Sequence, residues 1–243
     1  MKKSIIIITA FVSLLIVGCN KNSYYKDSGT TKGKFDGTVM NYLESKPEYF
    51  DSIVRLVRKA GLETTLQNEQ VTFFAPADSS LRRLFFYTNE RLARLGRPAI
   101  HSINEVSDRI WTKYMSRYVF KFKKGLNDFP QVDFANLTTY AGQIYPAANG
   151  TYMNIGAVYS NVTLGGTNGA PSTVIPYAGY RYLTVSYLSS QYNTRDYDTW
   201  RTATVASVNI ETNNGYVHAL RYANHDFGFD LNEFVQDVAY NNY

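Results

Sequence analysis

A chain of 243 residues, 44% of them hydrophobic, can bury a substantial core as one large domain or two small ones. Its 16 Gly and 7 Pro exclude a fibrous or wholly disordered chain. The formal net charge is +5, and the charges are scattered rather than clustered, which excludes the basic stripe of a nucleic-acid-binding surface. Cys19 is the single cysteine, so no intrachain disulfide can form.

At the N-terminus, Lys2 and Lys3 precede an apolar run, Ile5 to Val17, that ends at Gly18-Cys19. A basic start, a short apolar segment and a small residue before the cleavage point form a secretory signal. The run falls short of the roughly 20 apolar residues of a comfortable transmembrane helix. The ending Leu15-Ile16-Val17-Gly18-Cys19 resembles a bacterial lipobox. The resemblance implies that residues 1–18 are removed and that Cys19 is lipidated. Several acyl chains would make the attachment stable, because one alone is marginal. Loss of residues 1–18 removes two lysines and no acid, leaving 23 basic against 20 acidic residues, a net +3. Asn20 stands where an Asp would resemble the inner-membrane retention signal of enteric bacteria, so the outer membrane is the expected address. Both of its faces stay open. Residues 19–37, rich in Ser, Thr, Gly and Lys, read as a flexible tether, and residues 38–243 as the folded domain.

Thr38 to Ser45 reads as a short helix capped by Thr38, and Pro47 opens a second. In that second helix Phe50, Ile53, Val54 and Val57 recur at i, i+3, i+4 and i+7, one apolar stripe. Arg55, Arg58 and Lys59 suit the negative end of its dipole. Gly61 is placed to end it in a left-handed turn. Val71-Thr72-Phe73-Phe74-Ala75 reads as a short buried strand, stopped by Pro76. Asp78 is placed to cap the helix that follows, which reaches about Leu95 before Gly96-Arg97-Pro98. Val106, Ile110, Tyr114 and Tyr118 step by four, another helix, with Trp111 beside its core face.

From Phe120 the period changes to two. Candidate strands are Tyr152 to Ile155, Tyr159 to Leu164, Tyr180 to Leu188 and Thr202 to Ile210. Asn213-Asn214-Gly215 is a hairpin-type turn leading into a strand from Tyr216 to Tyr222. Gly165 to Gly179 and Ser189 to Trp200 read as loops, and together they make residues 140–200 an elaboration of the second half. The tail from Asn224 carries Phe227, Phe229, Leu231, Phe234 and Val235 and is expected to fold back on the domain. The chain is therefore expected to be α+β, with a helical first half and a β-rich second half forming a twisted sheet with inserted loops.

Two stretches carry a family resemblance. Thr72-Phe73-Phe74-Ala75-Pro76-Ala77-Asp78-Ser79-Ser80-Leu81 resembles the first signature of the fasciclin-like domain, and Asn214-Gly215-Tyr216-Val217-His218-Ala219-Leu220 resembles the second. The likeness extends from about Thr38 to Phe229. It makes Thr72, Phe74, Ala75, Pro76, Asp78, Asn214, Gly215 and His218 the family positions of this chain, mainly structural in role. Two positions depart from the family pattern. Tyr118-Val119 stands where a Tyr-His pair is usual, and Arg221 stands where an acidic residue often follows the second signature. The resemblance implies an adhesion or protein-interaction role.

Catalytic ingredients are scarce. The histidines are His101, His218 and His225, and there is no G-x-S-x-G elbow, H-E-x-x-H pair, clustered Cys/His spacing or calcium loop. Gly165-Gly166-Thr167-Asn168-Gly169 lacks the Lys-Ser/Thr of a phosphate loop. His218 reads first as a hydrogen-bonded, partly buried residue. His225-Asp226 is weak as a catalytic pair, because neighbours on a strand face opposite ways. No cofactor, metal or enzymatic activity is expected. The reading is a lipid-anchored cell-envelope module that contacts envelope or matrix proteins. The alternative is a glycan-binding accessory lipoprotein of a nutrient-uptake assembly. Among 21 tyrosines that alternative points to Tyr177, Tyr180, Tyr182 and Tyr187, and above all to Tyr192, Tyr197 and Trp200 as ligand contacts.

Overall fold

Thr38 opens the first helix, α1 (Val39–Glu44), through a reciprocal capping box with Asn41. The computed structural model describes residues 33–165, 172–189, 197–221, 223 and 225–242. The signal segment, Cys19 and Tyr192 lie outside the described residues. Gly33–Tyr243 form one compact unit.

Pro47 at the first helical position starts α2 (Pro47–Lys59), whose Phe50, Ile53, Val54 and Val57 are buried as the stripe requires. Gly61 follows at φ +70°, the left-handed stop. A short helix not expected from the sequence, α3 (Glu63–Asn68), buries Leu66 and leads into β1 (Val71–Ala75), buried throughout. After Pro76 comes α4 (Asp78–Arg94), then α5 (Asp108–Met115) with a 3-10 turn at Ser116–Tyr118. Trp111 is fully buried in the core, and its indole N–H donates to the Ile103 carbonyl at 2.8 Å.

The strands that follow are β2 (Val119–Phe120), β3 (Gln143–Pro146), β4 (Tyr152–Tyr159), β5 (Val162–Gly165), β6 (Ser172–Ile175), β7 (Arg181–Tyr187), β8 (Arg201–Glu211) and β9 (Gly215–Leu220). Helix α6 (Leu231–Asn241) closes the chain. Seven strands form one sheet in the order β2-β1-β9-β8-β7-β4-β3. The β1–β9 pair is parallel, with Phe74 opposite His218; its other neighbours pair antiparallel. The two stretches that carry the resemblance thus meet as adjacent strands, β1 and β9. The architecture is α+β, with helices early and the sheet filled mostly by the second half.

Three expectations change, and the tail packs back into the core as expected, doing so as a helix. The loop expected from Gly165 to Gly179 contains β6, paired with β5 as a two-stranded ribbon that extends the β4–β7 hairpin; Thr and Val in a Gly-rich context still form a ladder. The Tyr159–Leu164 strand splits at Ser160, where the hairpin kinks and β4 ends. The tail forms a helix, because Leu231, Phe234, Val235 and Val238 fall on one buried face and Asp230 caps its start. The last residues of the expected tether, from Gly33, run beside β8: the Phe35 N–H donates to the Glu211 carbonyl at 2.7 Å and its ring meets Tyr42.

Candidate functional site

Asp78 does not cap its own helix. Its two carboxylate oxygens accept from the backbone N–H groups of Ser52 and Ile53 in α2, each at 3.0 Å. The proline corner aims this side chain backwards across the fold, so the first family stretch clamps α2 onto α4.

The second stretch works in the same way. The Asn214 side chain accepts from Val39 N–H at 2.9 Å and donates to the carbonyls of Leu66 and Glu69 at 3.0 and 2.8 Å. One amide thereby joins α1, the end of α3 and the β8–β9 turn. Gly215 has no room for a side chain, since an added Cβ would lie 1.8 Å from the Val71 carbonyl oxygen. The Thr72 hydroxyl donates to the Phe122 carbonyl at 2.8 Å and accepts from Lys124 N–H at 2.9 Å.

His218 is completely buried. Asn209 N–H donates to its Nδ1 at 3.2 Å, so the ring carries its proton on Nε2, which faces the Lys124 carbonyl at 3.1 Å. Burial pushes its pKa down to about 4, only partly offset by that carbonyl. The ring lies between Phe74 and Tyr216. His225 is also buried. Gly228 N–H donates to the Tyr118 hydroxyl at 2.6 Å, and that hydroxyl meets His225 Nε2 at 2.7 Å. Burial, helped by the nearby Arg83 guanidinium, brings His225 to about 3. Asp226 pairs with Arg83 at 3.1 Å. The two histidines are neutral braces, and among the described residues neither is hydrogen-bonded to a serine or carboxylate side chain. Among the described residues, no group of three or more His, Cys, Asp or Glu could hold a metal.

The aromatic residues expected to contact a ligand separate. Trp200 is 6% exposed and packs edge-on against Phe134 at 6.2 Å, so it belongs to the interior and offers no open platform. Tyr197 begins a 3-10 turn, Tyr197–Thr199, but its side chain lies outside the described residues, as does Tyr192. Tyr180, by contrast, is 74% exposed, and its ring lies 5.8 Å from that of Tyr182.

The sequence reading missed a surface groove of about 520 Å³ between α2, α4 and the segment that precedes α5. Leu81, Phe85 and Ile103 give it an apolar floor, and Arg55, Arg82 and His101 stand at its edge. Arg55 pairs with Asp51 at 2.5 Å; among the described residues Arg82 has no ion pair. One turn along α4 from Arg82, Phe86 is 61% exposed, with its ring 5.2 Å from Tyr87. The sequence signal was available: Phe85-Phe86-Tyr87 puts three aromatics in succession on a helix, and one core-facing stripe cannot bury all three.

Residues 48–145 match the family model of the Fasciclin domain. That stretch, less than half of the chain, is fasciclin-like. Fasciclin domains are associated with adhesion and protein interaction. Among solved structures, a FAS1 domain pair from the insect cell adhesion molecule Fasciclin I is similar at 13% identity and a TM-score of 0.34, over 79% of this chain and 46% of that one. The chain therefore spans less than half of that structure. No curated protein matches. The fasciclin-like match begins inside α2 and ends in β3, so the first family stretch lies within it and the second beyond it.

Proposed function

We propose that this protein is a non-catalytic adhesion or protein-interaction module held at the cell envelope by lipid on Cys19. The observation that carries the interaction reading is the groove with Arg82 at its edge, together with the exposed Phe86 one turn along α4 from Arg82. Exposed aromatic and Arg side chains next to an apolar depression have the composition of binding hot spots. The family match supports the same reading. The buried, neutral state of His218 and His225 supports the absence of acid–base chemistry.

The anchor rests on the sequence of residues 1–19. No helix among the described residues is long and apolar enough to cross a membrane. The proposed address is the outer membrane, with residues 20–32 as the spacer. Metabolic labelling with a palmitate analogue tests it: label incorporated into the wild-type chain and lost in Cys19→Ser supports the anchor, whereas equal labelling of both overturns it. For the interaction, capture of an envelope or matrix protein by the wild-type chain, lost in Phe86→Ala, is the expected result.

A second reading, glycan binding, is favoured by one observation: the widely exposed Tyr180 ring beside Tyr182. Its test is saturable binding on a glycan array.

A further inference from the structure

At the kink between β4 and β5 the hairpin opens a cleft of about 290 Å³, lined by Asp133, Val158, Tyr159, Ser160, Asn161 and Tyr177 among others. Its volume lies at or below the roughly 300–1,000 Å³ of pockets for drug-sized ligands, so it admits one small ring rather than an extended chain. Tyr177 sits at φ +59°, a left-handed conformation that a bulky residue adopts only when its surroundings impose it. Those surroundings are on both sides of the cleft. Asn161 Oδ1 accepts from Tyr177 N–H at 3.0 Å, and the Tyr177 hydroxyl donates to Asp133 Oδ2 at 2.7 Å. The Tyr140 ring packs edge-on against Tyr177 at 5.3 Å. The loop before β3 and the hairpin are thus pinned together with the cleft between them.

Two tyrosines stand beside the lining residues on the β7 side. Tyr182 is directly opposite Val158 in the β4–β7 ladder, and Tyr180 meets Ser160 through two hydrogen bonds, so Tyr180 and Tyr182 share the face of the two cleft-lining residues. A flat aromatic surface beside a small polar cleft is the arrangement that takes a pyranose. The C–H face of the sugar covers the ring, and its hydroxyls reach hydrogen-bonding groups below. Asp133 has one acceptor oxygen engaged by Ala135 N–H and one by Tyr177, and each keeps a lone pair for a hydroxyl. Asp133 is the charged group in the lining, so its charge selects against uronates and other acidic sugars.

We propose that the cleft at the base of the β5–β6 ribbon is a subsite for a neutral pyranose, with Tyr180 as the stacking surface and Asp133 and Asn161 as the hydroxyl-binding groups. The proposal rests on the second reading above and places the ligand elsewhere than Tyr192, Tyr197 and Trp200.

The test is a titration of the full chain with the methyl glycosides of glucose, galactose, mannose and N-acetylglucosamine, and with glucuronate. Binding is read by saturation-transfer NMR at millimolar concentrations, alongside an array of neutral oligosaccharides. The expected result is saturable binding of a neutral sugar, weakened at least tenfold by Tyr180→Ala and by Asp133→Asn. Tyr152→Ala, another widely exposed tyrosine at the far end of β4, is expected to leave it unchanged, and glucuronate is expected to give no signal. Because Tyr180 is exposed, its replacement tests the site without threatening the fold. Neutral-sugar binding that survives both Tyr180→Ala and Asp133→Asn would overturn this site and leave the glycan reading standing. Absence of any sugar binding by the wild-type chain would overturn both.

Discussion

Asp78 and Ile53 are 25 positions apart, yet the Asp78 carboxylate accepts the Ile53 backbone N–H at 3.0 Å and, through its other oxygen, that of Ser52. Both partners are drawn out of solvent, so the carboxylate replaces water for two amides at once. Asp78→Ala is expected to cost about 2–3 kcal/mol, because each amide loses a charged acceptor. Asp78→Asn should recover only part of this, since the amide offers one oxygen and presents N–H groups to the other donor. Urea denaturation of the three proteins checks the order wild type, Asn, Ala.

Gly215 gives a steric prediction. With an added Cβ only 1.8 Å from the Val71 carbonyl oxygen, Gly215→Ala must push β9 off β1, the parallel pair of the sheet. The loss is expected to reach or exceed the roughly 1–3 kcal/mol of ordinary overpacking, because the obstacle is backbone and cannot rotate away. Gly61→Ala is the useful contrast. It meets nothing within 4 Å and carries only the cost of φ +70°, so it should lose about 1 kcal/mol. Thermal melts of the two variants read the difference.

The buried histidines set a pH window. His218 and His225 have folded values of about 4 and about 3, below the ordinary value of 6.5. Between these limits the unfolded chain binds protons that the folded chain refuses. Stability is therefore full above about pH 6.5 and falls as the pH is lowered, by at most about 1.4 kcal/mol per unit for each histidine. The decline from His218 levels off near pH 4. A melting temperature that falls between pH 6.5 and 4.5, with a shallower slope in His218→Gln, is expected. A flat profile across that window would contradict the neutral, buried assignment.

Much of this fold was readable before the coordinates. The stripe Phe50, Ile53, Val54 and Val57, the stop at Gly61 and the strand that ends at Pro76 each depend on neighbours in sequence, and local rules capture them. The unread parts depend on distant partners. Nothing near Asp78 says that its acceptors serve α2 rather than its own helix, and nothing near Asn214 says that Val39, Leu66 and Glu69 converge on it. Gly165 to Gly179 looked like a loop because glycine and proline outweigh Thr173 and Val174 locally; pairing with β5 decided otherwise. Trp200 reads as a platform because its sequence neighbours are polar, and only its distant contact with Phe134 shows it covered.

Arg117 holds the tail. It is buried, donates to the Gly228 carbonyl at 2.6 Å and to Glu233 at 2.7 Å, and lies between the rings of Tyr114 and Tyr187 at 4.6 and 4.2 Å. Arg117→Met is expected to cost about 2–4 kcal/mol, below the full value for a broken buried pair because Glu233 reaches solvent. Its signature is local: amides of α6 should exchange with deuterium earlier than those of β1 and β9.

The proposed protein-binding surface is the Arg82 and Phe86 face of α4, beside the groove. The most direct measurement is the affinity of a captured envelope or matrix protein for the wild-type chain and for the Phe86→Ala and Arg82→Ala variants, at equal folded concentration. A Kd at least tenfold weaker is expected in each variant, the loss of a hot spot, with unchanged melting temperatures. Undiminished binding by both variants would contradict it.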